Sequence, residues 1–120
     1  MPGEPIPKEL EWLVDRCAQE AEIASKEIIH CLISKYPPDS TIGWHTDKML
    51  FGSKVMGLSL QSNCQMRFQR NIKEQRFVYE ITLDPRSLYI LSGEVRYKWQ
   101  HSIPPTHDLR YSITFRTLKK

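Results

Sequence analysis

The sequence lacks a long apolar segment and a cysteine pattern of any familiar kind. No apolar run in its 120 residues approaches the roughly 20 residues that a membrane-spanning helix needs, so we expect no membrane association. The first ten residues, MPGEPIPKEL, contain neither a basic leader nor an apolar core, which argues against a secretory signal. The three cysteines have no zinc-site spacing. Such a sparse, odd set predicts free thiols in a reducing compartment, and therefore a cytoplasmic protein.

Strong net charge is also absent. Seventeen Lys and Arg against fourteen Asp and Glu give +3, which permits an anionic partner such as nucleic acid but does not require one. A composition of 40% hydrophobic and 26% charged residues is typical of a globular chain and excludes a disordered one. The length predicts a single domain over residues 1–120, and we expect a monomer.

The amino-terminal part predicts one helix. Pro7 stands where a first helical turn tolerates proline, and Leu10, Leu13, Val14 and Cys17 recur at helical spacing. We expect a helix over about residues 8–25 that packs on a sheet.

The rest of the chain predicts short strands. Apolar and polar residues alternate in segments separated by turn residues, and only one helix precedes them, which disfavours a parallel βαβ sheet. The predicted strands are 27–36, 55–61, 64–70, 77–83, 87–91, 96–103 and 109–117. The pattern predicts an all-β fold with one N-terminal helix, as a sandwich or barrel over about residues 27–118.

The last predicted strand has two chemically different faces. Tyr111, Ile113 and Phe115 form an apolar face, whereas the other face is polar and contains Arg110 and Arg116. One interpretation is a half-buried strand whose polar face lies in solvent. The other places both arginines inside a barrel, where each must meet an anion, and the planar guanidinium fork suits a carboxylate. The strand alone does not distinguish these interpretations.

A histidine and an aspartate two residues apart form a candidate metal site. In the extended segment Gly-Trp-His-Thr-Asp, the side chains of His45 and Asp47 point the same way. His101 follows 54 positions after Asp47, near the end of another predicted strand. Two histidines and one carboxylate form the facial triad that binds non-haem Fe(II) and leaves positions for a cosubstrate and dioxygen.

Other interpretations of these residues are open. The His-x-Asp tripeptide is also compatible with a surface turn, and the triad with a hydrolytic zinc site, although zinc leaves the paired arginines unexplained. 2-Oxoglutarate accounts for both features, because one end chelates iron and its far carboxylate pairs with arginine. We interpret His30 as a packed strand residue and His107 as a loop residue.

The sequence resembles the AlkB family of Fe(II)- and 2-oxoglutarate-dependent dioxygenases, and bacterial AlkB-type proteins in particular. The resemblance extends from about Leu10 to the C-terminus. The matching motifs are a tyrosine nine residues before His45, HTD, the Leu-Ser-Gly-Glu turn, WQHSIP and RYSITFR. The resemblance implies a double-stranded β-helix (jelly roll) that uses Fe(II), 2-oxoglutarate and O2.

The resemblance also implies roles for the metal triad and the two arginines. His45, Asp47 and His101 match the iron ligands of the family. Arg110 matches the arginine that pairs with the distal carboxylate of 2-oxoglutarate. Arg116 matches a second arginine, near the iron-binding end of the cosubstrate and the substrate.

Three further residues match cosubstrate-binding positions. Tyr36 matches a tyrosine that hydrogen-bonds 2-oxoglutarate. If the resemblance is set aside, Tyr36 could equally be an aromatic residue at the end of a strand that packs on the core. Ser34 and Ser112 stand where better-known repair members have asparagines, and serine has a shorter reach. Met49 stands where those members have an acidic residue that contacts the damaged base.

The implied activity is oxidative demethylation of N-alkylated nucleobases in DNA or RNA. Hydroxylation of an N-methyl group gives a hemiaminal that loses formaldehyde, and the base must leave its stack to react. Six basic residues could follow a phosphate backbone, although a solvated outer face is an equal interpretation: Lys48, Lys54, Arg67, Arg70, Lys73 and Arg76.

Two alternatives accompany this activity. GEVRYKWQH also resembles wobble-uridine hydroxylase domains, which predicts a tRNA-base hydroxylase of the same chemistry. Family members carry a nucleotide-recognition lid before the region matched by residues 5–13, and this sequence begins where that lid ends. We therefore expect a catalytic core without the lid, either as a fragment, a partial gene product or a minimal variant. A lidless barrel could also be a binding module of low activity.

Overall fold

The structure, a computed structural model, describes residues 6–118 as eight strands and two helices. Residues 1–5 and 119–120 of the expected domain lie outside the described residues. The helices are α1 (Glu11–Ala21) and α2 (Gly93–Tyr97). The strands are β1 (Ile28–Tyr36), β2 (Ile42–His45), β3 (Phe51–Leu60), β4 (Cys64–Ile72), β5 (Gln75–Leu83), β6 (Ser87–Ser92), β7 (Gln100–Ile103) and β8 (Arg110–Leu118).

The strands form two four-stranded antiparallel sheets. Sheet I has the order β1-β8-β3-β6, and sheet II has the order β2-β7-β4-β5. Among the described residues, only β4 and β5 form a hairpin of consecutive strands, and every other pair joins strands that are distant in sequence. This is the jelly roll that the sequence predicts, mostly strand with one N-terminal helix, and the predicted fold class is confirmed.

Helix α1 is shorter than the predicted 8–25. A single 3-10 turn, Lys8–Leu10, precedes it, and Glu22 ends it with a left-handed backbone (φ 60°). The Nζ of Lys54 on β3 donates to the carbonyl oxygen of Ala21 and ties this end to sheet I. Among the described residues, no helix combines the length and apolarity needed to cross a membrane.

The apolar core lies between α1 and the outer face of sheet I. The buried residues of this core are Leu13, Val14, Cys17, Ala18, Ala21, Ile28, Met56, Ile113 and Phe115. Phe115 and Met56 are fully buried, so truncating Phe115 to alanine would cost about 3–5 kcal/mol. The apolar face of the last strand thus packs outward on the helix, which turns its polar face inward, between the sheets.

The predicted strand 96–103 is wrong in its first half. Gly93 has a left-handed backbone (φ 59°), and the chain then makes the short helix α2, whose last turn is closed by the Lys98 N–H donating to Glu94 O across 2.7 Å. Strand β7 begins only at Gln100. The alternation of apolar and polar residues does not exclude one helical turn at this place. Arg96 of α2 is buried, as an inward-facing residue of a strand would also be.

Candidate metal centre and its cavity

Two histidines of sheet II face each other. His45 ends β2 and His101 lies in β7, and the antiparallel register pairs the two residues directly. Their ring centroids are 4.2 Å apart. Asp47 follows two residues after β2 and places Oδ1 3.6 Å from His45 Nε2 and 3.7 Å from His101 Nε2. Strand pairing therefore brings the three predicted residues together.

The three side chains have the composition of a metal site. One ligand atom from each lies within 4.8 Å of the other two. Two imidazole nitrogens and one carboxylate oxygen suit a divalent transition metal and leave other positions on an octahedral ion open. Asp47 and His101 are buried, whereas the His45 side chain is 41% exposed, so the cluster lies at a mouth of the barrel. The surface-turn interpretation of the His-x-Asp tripeptide is wrong because Asp47 is buried.

Both imidazoles are prepared to bind a cation. Burial, and then the neighbouring His45, lower the pKa of His101 to about 4, so this ring is neutral at neutral pH and keeps a lone pair for a metal. His45 Nδ1 lies 2.9 Å from the carbonyl oxygen of Gly43, which can only accept a hydrogen bond. Nδ1 therefore carries the proton of a neutral His45, and Nε2 is left as its ligand atom.

The third ligand is held by an arginine of the last strand. Arg116 Nε donates to Asp47 Oδ2 across 2.7 Å. Burial alone would raise the pKa of Asp47, but the hydrogen bond and charge of Arg116 outweigh it and hold this pKa below its usual value. Arg116 also approaches His30, at 3.4 Å, and lies over the Phe51 ring at 5.0 Å. Asp47 is thus ionised, and its Oδ1 faces the two histidines.

A second arginine, which the sequence analysis missed, shapes the loop after the metal cluster. Arg96 is only 2% exposed, and its guanidinium donates to four backbone carbonyl oxygens of residues 47–52. The acceptors and distances are Gly52 at 2.9 Å, Asp47 at 3.2 Å, Lys48 at 2.9 Å and Phe51 at 3.1 Å. These bonds fix the backbone of Asp47 and close the loop that begins there.

The metal cluster opens into a cavity of about 240 Å³ between the sheets. Seven of the eight predicted site residues line it: Tyr36, His45, Asp47, His101, Arg110, Ser112 and Arg116. The eighth, Ser34, is not part of its wall. Ser34 pairs with Ser112 on β1, an edge strand of sheet I, and is only half-buried there. The expected contact from Ser34 to the cosubstrate stays a prediction.

Arg110 is a buried cation without an internal anion. It is 2% exposed, its Nε donates to Ser59 Oγ across 3.3 Å, and its guanidinium lies 5.1 Å from the centre of the Tyr36 ring. No carboxylate of residues 6–118 forms an ion pair with it. A buried guanidinium is costly unless an anion meets it, so this end of the cavity suits a ligand carboxylate. The solvent-facing interpretation of the last strand is wrong.

Two rows of residues across sheet I contain positions that the sequence did not indicate. Strand registers align Ser59 and Ser87 in one row with the predicted residues Ser34 and Ser112. A second row contains Tyr89, which also lines the cavity. The only sequence signal for these residues is their alternation with core residues, and it does not reveal which strand face points inward.

Only some of the six basic residues named in the sequence analysis are free to contact a phosphate backbone. Arg67 pairs with Glu80 at 3.1 Å, and Arg70 pairs with Glu94 at 3.2 Å. Lys54 is used to hold the end of α1. The solvated-face interpretation therefore fits Arg67, and a phosphate contact would have to come from the remaining basic residues.

Comparison with known proteins gives one family model and several relatives. The 2OG-Fe(II) oxygenase superfamily model matches residues 1–116. The uncharacterized protein L905 of Acanthamoeba polyphaga mimivirus is 33% identical over 129 residues, covering 96% of this chain and 60% of that protein. The mitochondrial alpha-ketoglutarate-dependent dioxygenase alkB homolog 7 of Bos taurus is 40% identical over 67 residues, covering 55% of this chain and 30% of that protein.

A third relative and a solved structure are also similar to this chain. The tRNA (carboxymethyluridine(34)-5-O)-methyltransferase alkbh8 of Xenopus tropicalis is 36% identical over 74 residues, covering 61% of this chain and 11% of that protein. The structure of OsALKBH1 has a TM-score of 0.71 at 17% identity and covers 93% of this chain and 64% of that chain. The chain thus spans less than two thirds of the length of each of these proteins.

Proposed function

Because the chain belongs to the 2OG-Fe(II) oxygenase superfamily, we propose that it is an AlkB-type dioxygenase that oxidatively demethylates N-alkylated nucleobases in DNA or RNA. The superfamily uses Fe(II), 2-oxoglutarate and O2. The observation that carries the proposal is one cavity with a metal-ligand triad at one end and Arg110, a buried cation without an internal anion, at the other. A 2-oxo acid with a distal carboxylate has complementary chemistry at both ends.

The residues present fit both groups. His45, Asp47 and His101 would hold Fe(II), since they offer the two nitrogens and one oxygen of a facial triad. Arg110 would pair with the distal carboxylate of 2-oxoglutarate, with Tyr36 beside it and Ser112 in the adjoining wall. When bound, iron, 2-oxoglutarate and O2 supply the oxidation: 2-oxoglutarate becomes succinate and CO2, and a substrate C–H bond becomes C–OH.

The protein contributes positioning and electrostatics to this reaction. Arg116 keeps Asp47 ionised and occupies its Oδ2, so that a single oxygen is presented to the metal. Arg96 holds the backbone at Asp47 in place. Burial keeps His101 neutral, which preserves its ligand lone pair. These contacts preorganise the site before any ligand binds.

Support for a nucleobase substrate comes from the relatives named as alkB homologs and from the motifs shared with the AlkB family. Met49 and Leu50, two and three residues after Asp47, are about half exposed. They offer an apolar surface beside the mouth, where a planar base could lie after leaving its stack. Hydroxylation of its N-methyl carbon would give a hemiaminal, which releases formaldehyde and restores the unmodified nitrogen.

The test is formaldehyde release from methylated oligonucleotides. The Fe(II)-loaded protein should convert 1-methyladenine or 3-methylcytosine in single strands to the unmodified base, with equal amounts of formaldehyde and succinate. The variant His45→Ala is the matched negative control. If succinate forms but no methylated base changes, the protein is an oxygenase that does not demethylate nucleobases.

A tRNA-base hydroxylase is a second candidate because the chain is similar to alkbh8, whose name describes a tRNA-modifying enzyme. This activity would add one oxygen to a uridine substituent and release no formaldehyde. Mass spectrometry of nucleosides from treated tRNA distinguishes the two activities. Absence of succinate with either substrate would favour the third alternative, a barrel that only binds.

A further inference from the structure

Tyr89 lines the metal cavity together with Arg110, from a strand two positions away in sheet I. It lies on β6, and the strand registers place it in one row with Gly57, Thr114 and Leu32. Glycine and threonine are short, so this row leaves space above the sheet. A long side chain that enters from the β6 edge can therefore extend over the middle of the cavity floor.

Gly57 shows where the ring of Tyr89 lies. The two residues are direct partners in the β3–β6 register. A Cβ atom added to Gly57 would overlap the Cζ, Cε2 and Oη atoms of Tyr89. The phenol ring and its hydroxyl therefore cross the Cα of Gly57, and the hydroxyl reaches β3, the strand adjacent to the one that carries Arg110. Only glycine permits so close an approach.

The hydroxyl of Tyr89 makes no hydrogen bond to any residue of the described part of the chain. In the same part, no side-chain polar atom that is sealed from solvent lacks a partner, so this hydroxyl keeps accessible surface, and Tyr89 itself lines the cavity. Burial raises the pKa of Tyr89 to about 12, which keeps the O–H group protonated and able to donate. Of the charges that act on it, that of Arg110 is the strongest.

Two groups that can donate hydrogen bonds thus face one cavity, although Arg110 already donates its Nε–H to Ser59 Oγ. Arg110 can only donate, and it has no carboxylate partner among residues 6–118. Tyr89 adds an O–H group from the other side of the floor. One carboxylate between them would satisfy both, because each of its oxygens can accept more than one hydrogen bond.

We propose that Tyr89 is a cosubstrate-binding residue, whose hydroxyl donates to the carboxylate of 2-oxoglutarate that Arg110 holds. This inference rests on the proposed function, because it assigns a further contact to the same cosubstrate. It predicts that the phenol hydroxyl contributes to the affinity for 2-oxoglutarate and contributes nothing to the affinity for the metal.

The test is a calorimetric titration of the Mn(II)-loaded protein, which binds without turnover. The variant Tyr89→Phe removes only the hydroxyl, and Tyr79→Phe is the matched control because Tyr79 is 61% exposed and lies outside this cavity. Each protein is titrated with 2-oxoglutarate and with oxalate, which chelates the metal but is too short to reach Arg110. Thermal unfolding of each metal-free protein reports any structural effect.

Tyr89→Phe should weaken 2-oxoglutarate about 5- to 10-fold, the effect of one lost hydrogen bond. The Kd values for oxalate and Mn(II) should not change, and the Tm of the metal-free variant should not fall, since the hydroxyl has no protein partner. An unchanged Kd for 2-oxoglutarate, or equal weakening of oxalate, would overturn the role of Tyr89 and leave the proposed function intact. A wild-type protein that binds no 2-oxoglutarate would overturn both.

Discussion

Arg116 donates its Nε–H to Asp47 Oδ2 across 2.7 Å, while Oδ1 of the same carboxylate faces His45 and His101. The two partners are separated by 69 positions and lie on different sides of the barrel mouth. The two oxygens of this carboxylate therefore have different roles, because Oδ2 accepts the hydrogen bond from Arg116 and Oδ1 is left to bind a metal. The last strand thus orients a ligand that belongs to the loop after β2.

Replacing Arg116 should therefore weaken metal binding without removing a ligand. In Arg116→Gln, burial is no longer opposed by the guanidinium, so the pKa of Asp47 rises and its carboxylate is free to rotate. We expect the Kd for Mn(II) at pH 7 to increase about 10- to 100-fold, as is typical when a residue that orients a metal ligand is lost. Calorimetry on Arg16→Gln, an exposed arginine of α1, is the control. Equal affinities in the two variants would contradict this role.

His45 should be dispensable for folding but required for metal-dependent stability. Its side chain is 41% exposed, so His45→Ala should leave the Tm of the metal-free protein nearly unchanged. Metal at 100 times its Kd should stabilise the wild type by about 2.7 kcal/mol, and this gain should disappear in the variant. Differential scanning calorimetry with and without Mn(II) measures it. A full metal-induced shift in the variant would exclude His45 as a ligand.

Much of this architecture follows from local patterns in the sequence. Alternation predicts the apolar face of β8, and the i, i+2 spacing predicts that His45 and Asp47 act together. The environment of the polar face of β8 does not follow from the sequence, because alternation separates two faces without showing which one meets solvent. Packing against α1 decides it: Phe115 fills the space under the helix, and Arg110 consequently points inward.

Other features depend on distant contacts that no local pattern encodes. Arg96 donates to backbone carbonyl groups 44 to 49 positions away. Every residue type has such a carbonyl group, so the sequence does not indicate which residues accept these bonds. Tyr89 lies over Gly57 only because β6 pairs with β3, a register that the sequence does not specify. Helix α1 ends early because Glu22 adopts a left-handed backbone, which is uncommon for a residue other than glycine.

Arg110 should be required for cosubstrate binding and unfavourable for the stability of the ligand-free protein. Arg110→Met keeps much of the side-chain volume and removes a buried charge without an anion. We expect the metal-free variant to be more stable than wild type, by roughly 1–2 kcal/mol, and to lose measurable affinity for 2-oxoglutarate. Urea unfolding and calorimetry give the two values. Normal cosubstrate affinity would reject the assignment of Arg110.

The stability of the metal-free protein should fall in mildly acidic solution. The pKa of His101 is lowered from 6.5 to about 4 in the folded state, so the unfolded chain binds this proton more tightly. Its contribution is complete above pH 6.5 and is lost as the pH falls toward 4. The loss should be on the order of 3 kcal/mol.

Urea unfolding in a chelating buffer at pH 7 and pH 4.5 measures this loss. His30 also has a lowered pKa, caused first by burial, and contributes in the same direction. His101→Gln should therefore reduce the pH dependence without abolishing it. An identical loss in His101→Gln and wild type would show that His101 is not the source.

The loop that carries Asp47 should depend on Arg96. In Arg96→Ala, four backbone carbonyl groups lose a donor in a region with little access to water, so we expect a destabilisation of about 3 kcal/mol or more. Arg96→Lys should recover only part of it, because an ammonium group cannot match the guanidinium fork. Arg16→Ala, on the exposed face of α1, should change stability by less than about 0.5 kcal/mol. If Arg96→Ala unfolds at the same urea concentration as Arg16→Ala, the loop does not need this arginine, and Asp47 must be fixed by Arg116 alone.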